Sequence, residues 1–260
     1  MTKGTPIRSV SRAVKVLQTV NRLRNPTLME VSRATNLPYP TVFRLMQTLL
    51  FEGLVESEPN RKRYVVTSLT QTLSHGFQDE DRLARIAREP IRRLTQDHGW
   101  PISLTVRVGN RMMVKESTHL QSSMTLTNYY PGFSLPLLEC ASGKAFLAFS
   151  PDDEVAVVLT GLRELYTAGH EDSLTIVDAD YLRQIRHQGY AVHSRNQHTQ
   201  NPGKTSSLAV PVLAGDRVLA SLVLTFFASG LSVGEAADRY LGALQETAAH
   251  IASAFAADSG

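Results

Sequence analysis

The stretch NLPYPTVFRLMQTL, Asn36–Leu49, decides how the first part of the chain is read. Val42, Leu45, Met46 and Leu49 recur at helical spacing and give the segment an apolar back. Pro38 and Pro40 fit a helix only in its opening turn, where backbone N–H groups have no intrahelical acceptor and their loss costs little. Because a proline disfavours helical geometry in the residue before it, Tyr39 is expected in the turn that leads into the helix. The outward side carries Thr41, Phe43, Arg44 and Gln47. Such a face suits the major groove of a DNA duplex. Arg44 could meet a phosphate or a guanine edge, Gln47 an adenine, and Phe43 a thymine methyl, with Tyr39 against a phosphate or the groove wall. The competing reading is an ordinary solvated helix, and the neighbouring segments choose between the two.

Upstream, SVSRAVKVLQTVNRL places Val10, Val14, Leu17 and Leu23 near one helical face, with Ser9 or Ser11 as a capping residue. Asn25-Pro26 interrupts that helix. In TLMEVSRAT, Thr27 and Glu30 match a capping box, Leu28, Val31 and Ala34 supply an apolar side, and Asn36 is suited to a left-handed helix end. Downstream, Gly53 stops the third helix, and the β-prone runs LVES and RYVVTS flank the charged turn EPNRKR. Three short helices followed by a hairpin with a basic tip describe a winged helix-turn-helix. Arg61, Lys62 and Arg63 on that tip would add phosphate contacts, which give affinity without sequence preference. Charge agrees with this. Residues 1–77 hold 11 Lys and Arg against 4 Glu and no Asp, a net of +7, whereas the remainder holds 16 basic and 20 acidic residues, a net of −4.

The rest reads as a different unit. DEDRLARIAREPIRRLTQDHG predicts a connecting helix, interrupted or restarted at Pro90. ISLTVRV and RMMVKEST flank Gly109-Asn110 as a hairpin. Helices are expected over ECASGKAFLAF, around DDEVAVVL and from Asp178 to Gln188, the last ending at Gly189. SSLAVPVL and RVLASLVLTFF form two strongly β-prone runs joined by Ala214-Gly215-Asp216, and a second capping box, Ser232 with Glu235, opens a C-terminal helix. An antiparallel sheet with helices against it makes this an α+β domain of the kind that senses small molecules.

Several classes are disfavoured. Apolar residues at 42% and charged ones at 20% describe a globular chain. No uncharged apolar run is long enough for a transmembrane helix, the first residues lack the apolar core of a signal peptide, and the single Cys140 fits a reducing cytoplasm. Gly203-Lys204-Thr205 resembles the end of a phosphate-binding loop, but His198 stands where the earlier glycine is required. His193 and His198 have no carboxylate or cysteine partner that would complete a metal site, so neither a metal nor a cofactor is expected. Cys140, at a helix start, has no evident base partner and is expected as a packed thiol, and Trp100 as a core anchor. An enzyme, a hydrolase or transferase with a basic partner-binding N-terminal domain, is the alternative to a regulator. It would need a nucleophile–base or acid–base pair that the sequence does not offer.

Three segments, SVSRAVKVLQ, LMEVSRATNLPYPTVFRLMQTLLFEGLVE and RYVV, resemble the DNA-binding domain of the IclR family of bacterial transcription regulators. ASGKAFLAF, GYAV and SSLAVPVLAGDRVLASLVL resemble its effector domain, in the same order. Within the family the likeness leans towards the branch that regulates 3-(3-hydroxyphenyl)propionate catabolism. The resemblance implies a winged helix-turn-helix over residues 1–75, a linker helix over 76–98 and a GAF-like effector domain over 99–260. The expected partners are a double-stranded operator, a small carboxylate, a second copy of the chain in a homodimer (often paired into a dimer of dimers), and RNA polymerase for an activator. It places the effector at Ala141, Ser142 and Gly143, near His193 to Arg195, and at Ser207, Val223 and Thr225. The backbone N–H groups at the ASGKA helix start favour a carboxylate, Arg195 is a candidate bidentate clamp, and Val223 argues for an apolar ligand. Tyr129, Tyr130, Phe133, Leu135 and Leu137 are candidates for a ring-binding wall. Tyr39-Pro40 and Phe43 depart from the family's usual small polar or basic pair and histidine, which alters the sequence read but not the docking.

Overall fold

The computed structural model describes residues 7–58, 62–74, 82–124, 129–165, 177–197 and 202–258, so Arg61 and His198 lie outside the described residues. The chain divides into two compact units, Met1–Glu80 and Asp81–Gly260.

The first unit contains helices α1 (Arg8–Leu23), α2 (Leu28–Thr35) and α3 (Tyr39–Phe51), then a hairpin of β1 (Val55–Ser57) and β2 (Tyr64–Val66) and a 3-10 turn over Ser68–Ser74. Its core gathers Val16 and Val20 of α1, Leu28 and Val31 of α2, Val42, Met46 and Leu49 of α3, and Val55 and Tyr64 of the hairpin. The capping box forms as expected, with Glu30 N–H donating to the Thr27 hydroxyl and the Glu30 carboxylate accepting from Thr27 N. Asn36 closes α2 at φ 53.

Local detail departs from expectation in four places. On α1 the core takes the face of Val16, Thr19 and Val20, leaving Val10 57% and Val14 48% exposed and Leu23 outside. The sequence offers two overlapping apolar stripes on this helix, and Leu17 sits on their shared edge. Ile7, with no side-chain cap, precedes α1, so Ser9 and Ser11 are both inside it. On α2 Thr35 is buried instead of Ala34, because Leu28, Val31 and Thr35 share a face from which Ala34 is turned by roughly 95°. The Thr35 hydroxyl donates to Val31 O at 2.7 Å. Finally, Tyr39 is the first residue of α3 and not part of the turn, since the Pro38 carbonyl accepts from both Thr41 N and Val42 N. Those two bonds nucleate the helix one residue earlier than Pro40 alone would favour.

The second unit begins with α4 (Arg82–His98), which runs unbroken through Pro90 instead of restarting there. An interior proline costs roughly 3 kcal/mol. Burial of Leu83, Ala87, Ile91 and Leu94, at about 1.5–3 kcal/mol for each large side chain, outweighs it. Next come β3 (Ile102–Val108) and β4 (Arg111–Ser117), turning at Gly109 with φ 60, and β5 (Ser134–Pro136), followed by a 3-10 turn over Leu137–Glu139. Among the described residues, helices α5 (Ala141–Phe149), α6 (Asp152–Leu165) and α7 (Ala179–Gln188) precede β6 (Ala191–His193), β7 (Thr205–Ala214), β8 (Arg217–Phe227) and α8 (Val233–Ala257). The six strands form one antiparallel sheet in the order β5-β4-β3-β8-β7-β6.

Strand alternation gives this sheet two unlike faces. Ile102, Leu104, Leu208, Val210, Leu222, Leu224 and Phe226 point to one side, where α4 and α8 cover them. Trp100 anchors that layer, edge-on to Phe227 at 5.6 Å and donating to the Tyr240 hydroxyl at 3.3 Å. Ser103, Thr105, Ser207, Ser221 and Thr225, the alternate residues, point to the side covered by α5, where the Ser221 hydroxyl donates to Ser142 O at 2.9 Å. Gly143 allows α5 to lie against the preceding turn: a Cβ there would be 1.8 Å from Leu137 O.

Candidate functional site

Each unit contains a candidate site of its own. In the first, α3 buries Val42, Met46 and Leu49 and leaves Tyr39, Phe43, Arg44 and Gln47 exposed, with Thr41 half-buried at the margin. No hydrogen bond or ion pair holds the Arg44 guanidinium among the described residues, so it is available to a ligand. Phe51 is 88% exposed at the helix's far end, a surface aromatic that sequence periodicity alone did not single out. On the wing, Lys62 adopts φ 48 and is exposed. Arg63 behaves differently from the expected phosphate contact. Its Nη1 donates to Asn25 O at 2.6 Å and lies 3.4 Å from the Glu30 carboxylate.

In the second unit, the hydroxyl-bearing face of the sheet and the start of α5 enclose a cavity of about 400 Å³, its open mouth included. Only about 20 Å³ of that space takes the centre of a water-sized sphere, so the side chains nearly close the cavity in this structure and an aryl acid would have to displace them. Of the residues expected to touch an effector, Ala141, Ser142, Ser207, Val223, Thr225 and Tyr129 line it, joined by Phe133 and Leu135 from the proposed aromatic wall. Leu137 is buried in the core beneath, and Gly143 serves the close packing of α5. His193 and Arg195 do not line the cavity. Arg195 takes a left-handed backbone at φ 49, which turns its exposed side chain outwards and brings Asn196 in. The residue of this loop that enters the cavity is therefore a carboxamide, Asn196, and not the cation beside it.

Asn196 is 3% exposed, lines the cavity and donates from Nδ2 to Glu139 O at 3.2 Å, just before α5. Its backbone is fixed by bonds from Asn196 N to Thr205 O and from Gly203 N to Asn196 O. Sequence reading missed it, together with Ser103, Thr105, Met112 and Val114. The signal was present in the alternation of ISLT, whose hydroxyls all fall on one side.

None of the described lining residues carries a formal charge. Polar recognition would fall to hydroxyls, the Asn196 amide and the N–H groups at the α5 start. Some hydroxyls are already engaged: Thr105 donates to Ser221 O at 3.1 Å, and Tyr129 bonds Thr205 at 3.3 Å. Ser142 donates only to the Cys140 sulfur at 3.3 Å, a weak acceptor, and the Ser207 hydroxyl has no partner among the described residues. Burial raises the Tyr129 phenol above its ordinary range, and burial likewise pushes the Cys140 thiol up despite the Ser142 hydroxyl and the Gly143 N–H. Cys140 is thus a neutral packed thiol and a poor nucleophile. Among the described residues no group of His, Cys, Asp or Glu is arranged to hold a metal, and no helix is long and apolar enough to cross a membrane.

The same two-part organisation appears in known proteins. Residues 9–59 match the IclR helix-turn-helix domain, and residues 77–253 match the bacterial transcriptional regulator IclR C-terminal domain. The transcriptional regulator KdgR of Escherichia coli is 29% identical over 233 residues, covering 85% of this chain and 82% of that protein. XynR of the same organism is 25% identical, covering 89% and 91%. Among solved structures, an IclR family regulator from Brucella abortus superposes with a TM-score of 0.63 at 21% identity, over 96% of this chain and 93% of that one. An IclR homolog from Microbacterium hydrocarbonoxydans, complexed with 4-hydroxybenzoate, gives 0.59 at 20% identity, over 94% and 98%. With both domains matched in order, a helix-turn-helix in the first unit and an α+β sheet domain in the second, this chain belongs to the IclR family of DNA-binding transcriptional regulators.

Proposed function

We propose that this regulator reads a duplex operator through α3 and the wing, and that a small carboxylate, aromatic or aryl-alkanoic, controls it from the cavity beside α5. The observation that carries the reading is the division of that cavity. Tyr129, Phe133, Leu135, Met112 and Val114 offer a ring an apolar surface. Ser142, Ser207 and the α5 N–H groups offer a carboxylate donors. The 4-hydroxybenzoate complex of the Microbacterium homolog supports the same ligand class. Such an effector suits the control of a catabolic operon, with activation, through RNA polymerase, in its presence. The protein would act in the cytoplasm and without catalysis of its own.

A homodimer fits the symmetry of operators. Ile7, just before α1, and Val10, Val14 and Leu17 on it follow heptad spacing, and the first three are exposed, a seam suited to a second copy. Pairing of dimers would follow the family habit. In such a dimer the helix from Arg82 carries the effector's influence by biasing the spacing of the two reading helices.

Calorimetry with benzoate, hydroxybenzoates, phenylpropionates and glyoxylate tests the effector. Binding of at least one aromatic acid tighter than glyoxylate is expected; binding of glyoxylate-like acids alone overturns the reading.

A further inference from the structure

Arg63 stands at the centre of a set of polar ties between the wing and the start of α2. Thr27 and Arg63 form an isolated antiparallel bridge, Tyr64 N donates to Pro26 O at 3.0 Å, and Glu58 N donates to Arg63 O at 2.9 Å. The Asn25 side-chain amide donates to the Glu58 carboxylate at 3.0 Å. Across this seam the Arg63 guanidinium bonds Asn25 O and faces Glu30. Glu30 in turn accepts from Thr27 N at 2.7 Å and the Thr27 hydroxyl at 3.0 Å. Those bonds, with Arg63 adding to them, hold its carboxyl below the ordinary range. One guanidinium therefore joins the capping box of α2 to the second strand of the hairpin.

We propose that Arg63 is a positioning residue, which sets the wing at a fixed angle to the helix-turn-helix, and is not one of the wing's phosphate contacts. The inference rests on the DNA-reading assignment of this unit. A guanidinium presents its donors in a rigid planar fork, so an arginine that spends one nitrogen on a carbonyl and faces a carboxylate has its orientation fixed. Glu30 answers part of its charge, and the same Nη1 that faces Glu30 is held by Asn25 O. The neighbouring Lys62 has the opposite character, exposed and carried outwards by its left-handed backbone. The two described cations of the wing thus divide the work: Lys62 meets the backbone of the duplex and Arg63 holds the hairpin that presents it. A charge count over RKR does not distinguish them.

Three variants of the full chain test this: Arg63→Gln, Glu30→Gln and Lys62→Gln. Two measurements apply to each, hydrogen exchange of the β1 and β2 amides without DNA, and salt-dependent binding to a labelled duplex of mixed sequence. Lys62→Gln should lower the slope of log K against log salt by about 0.9 and leave exchange unchanged. Arg63→Gln should speed exchange of the wing amides about tenfold and weaken binding, with the slope as in the unchanged chain. Glu30→Gln is the sharper variant, because glutamine can still complete the capping box. Removing a negative charge near DNA should tighten binding if charge alone matters; loss of the wing's fixation should weaken it and speed exchange. A slope reduced by about one in Arg63→Gln, with wing exchange unchanged, would make Arg63 a phosphate contact and overturn the proposal. So would tighter binding by Glu30→Gln with unchanged exchange, which also covers the case in which Arg63→Gln fails to fold. If the unchanged chain binds no duplex even at low salt, the DNA reading falls, while exchange still decides whether Arg63 fixes the wing.

Discussion

The exposed face of α3, proposed to read DNA, and the cavity beside α5 are built by opposite means. Arg44 and Gln47 project from a helix whose stability comes from its other side, through Val42, Met46 and Leu49. The cavity has no such separation. Ser142, Thr105 and Asn196 line it, yet each also bonds a neighbour. Substitution on the surface should therefore alter binding without altering stability, whereas in the cavity the two effects are entangled.

The largest effect is expected where packing is tightest. Gly143→Ala forces a Cβ against the Leu137 carbonyl, backbone that cannot swing aside. Overpacking of this kind costs about 1–3 kcal/mol or more, a loss of roughly 2–4 °C in Tm per kcal/mol for a unit of this size. Calorimetric melting should show the second unit destabilised and effector binding lost with it. An unchanged Tm would mean that α5 moves away freely, and the claim of entanglement would fail. Arg44→Ala supplies the contrast. Its Tm should be unchanged, while discrimination between operator and mixed-sequence duplex falls about tenfold or more, from the loss of about 1–3 kcal/mol at one base contact. A drop in Tm with discrimination intact would place Arg44 in the structure and not in the interface.

How far the sequence could be read follows the same division. The helices and hairpin of the first unit depend on local pattern: the Thr27–Glu30 capping box, the left-handed Asn36 and the apolar back of α3 each sit within a few residues of their partners. Errors there were small and local, as when α1 offered two apolar stripes and the core took the one through Val16 and Val20. The strands of the second unit were also legible, along with Ser207, Val223 and Thr225 on their pocket side. The side-chain direction in the loop after β6 was not. Whether Arg195 or Asn196 enters the cavity depends on one left-handed residue, and that conformation is fixed by bonds to Thr205 and Gly203 across the loop. Nothing in HSRN announces it. The acceptor of wing residue Arg63 was equally out of reach, since it is the carbonyl of Asn25, 38 residues away.

Within the cavity, Ser207 and Arg195 refine the comparison. The Ser207 hydroxyl has no partner among the described residues, so Ser207 should behave like a surface position. Ser207→Ala should weaken a carboxylate effector about tenfold or more, one hydrogen bond to a charged group, with Tm unchanged. Asn196→Ala should weaken it comparably but lower Tm as well, because the bond to Glu139 is lost. Arg195→Ala should change effector affinity less than twofold, its side chain lying outside the cavity. A tenfold loss for Arg195→Ala, measured by calorimetry, would restore it as the carboxylate's partner and mean that the loop turns over when ligand binds.

The smallest effect concerns Cys140, the only cysteine, which reports on the cavity from inside. A helix start ordinarily lowers a thiol's pKa, but burial here outweighs that and raises it. At any pH below the shifted value the thiolate fraction is therefore smaller than for a free cysteine. Its rate of alkylation by iodoacetamide should stay low through pH 8.5, near the ordinary thiol value, and climb only above it. A bound acid should slow it further by covering the sulfur. Rapid alkylation at pH 7, unaffected by any acid that binds, would mean that the cavity opens faster than a ligand can close it, and that the enclosed site is as accessible as the reading helix.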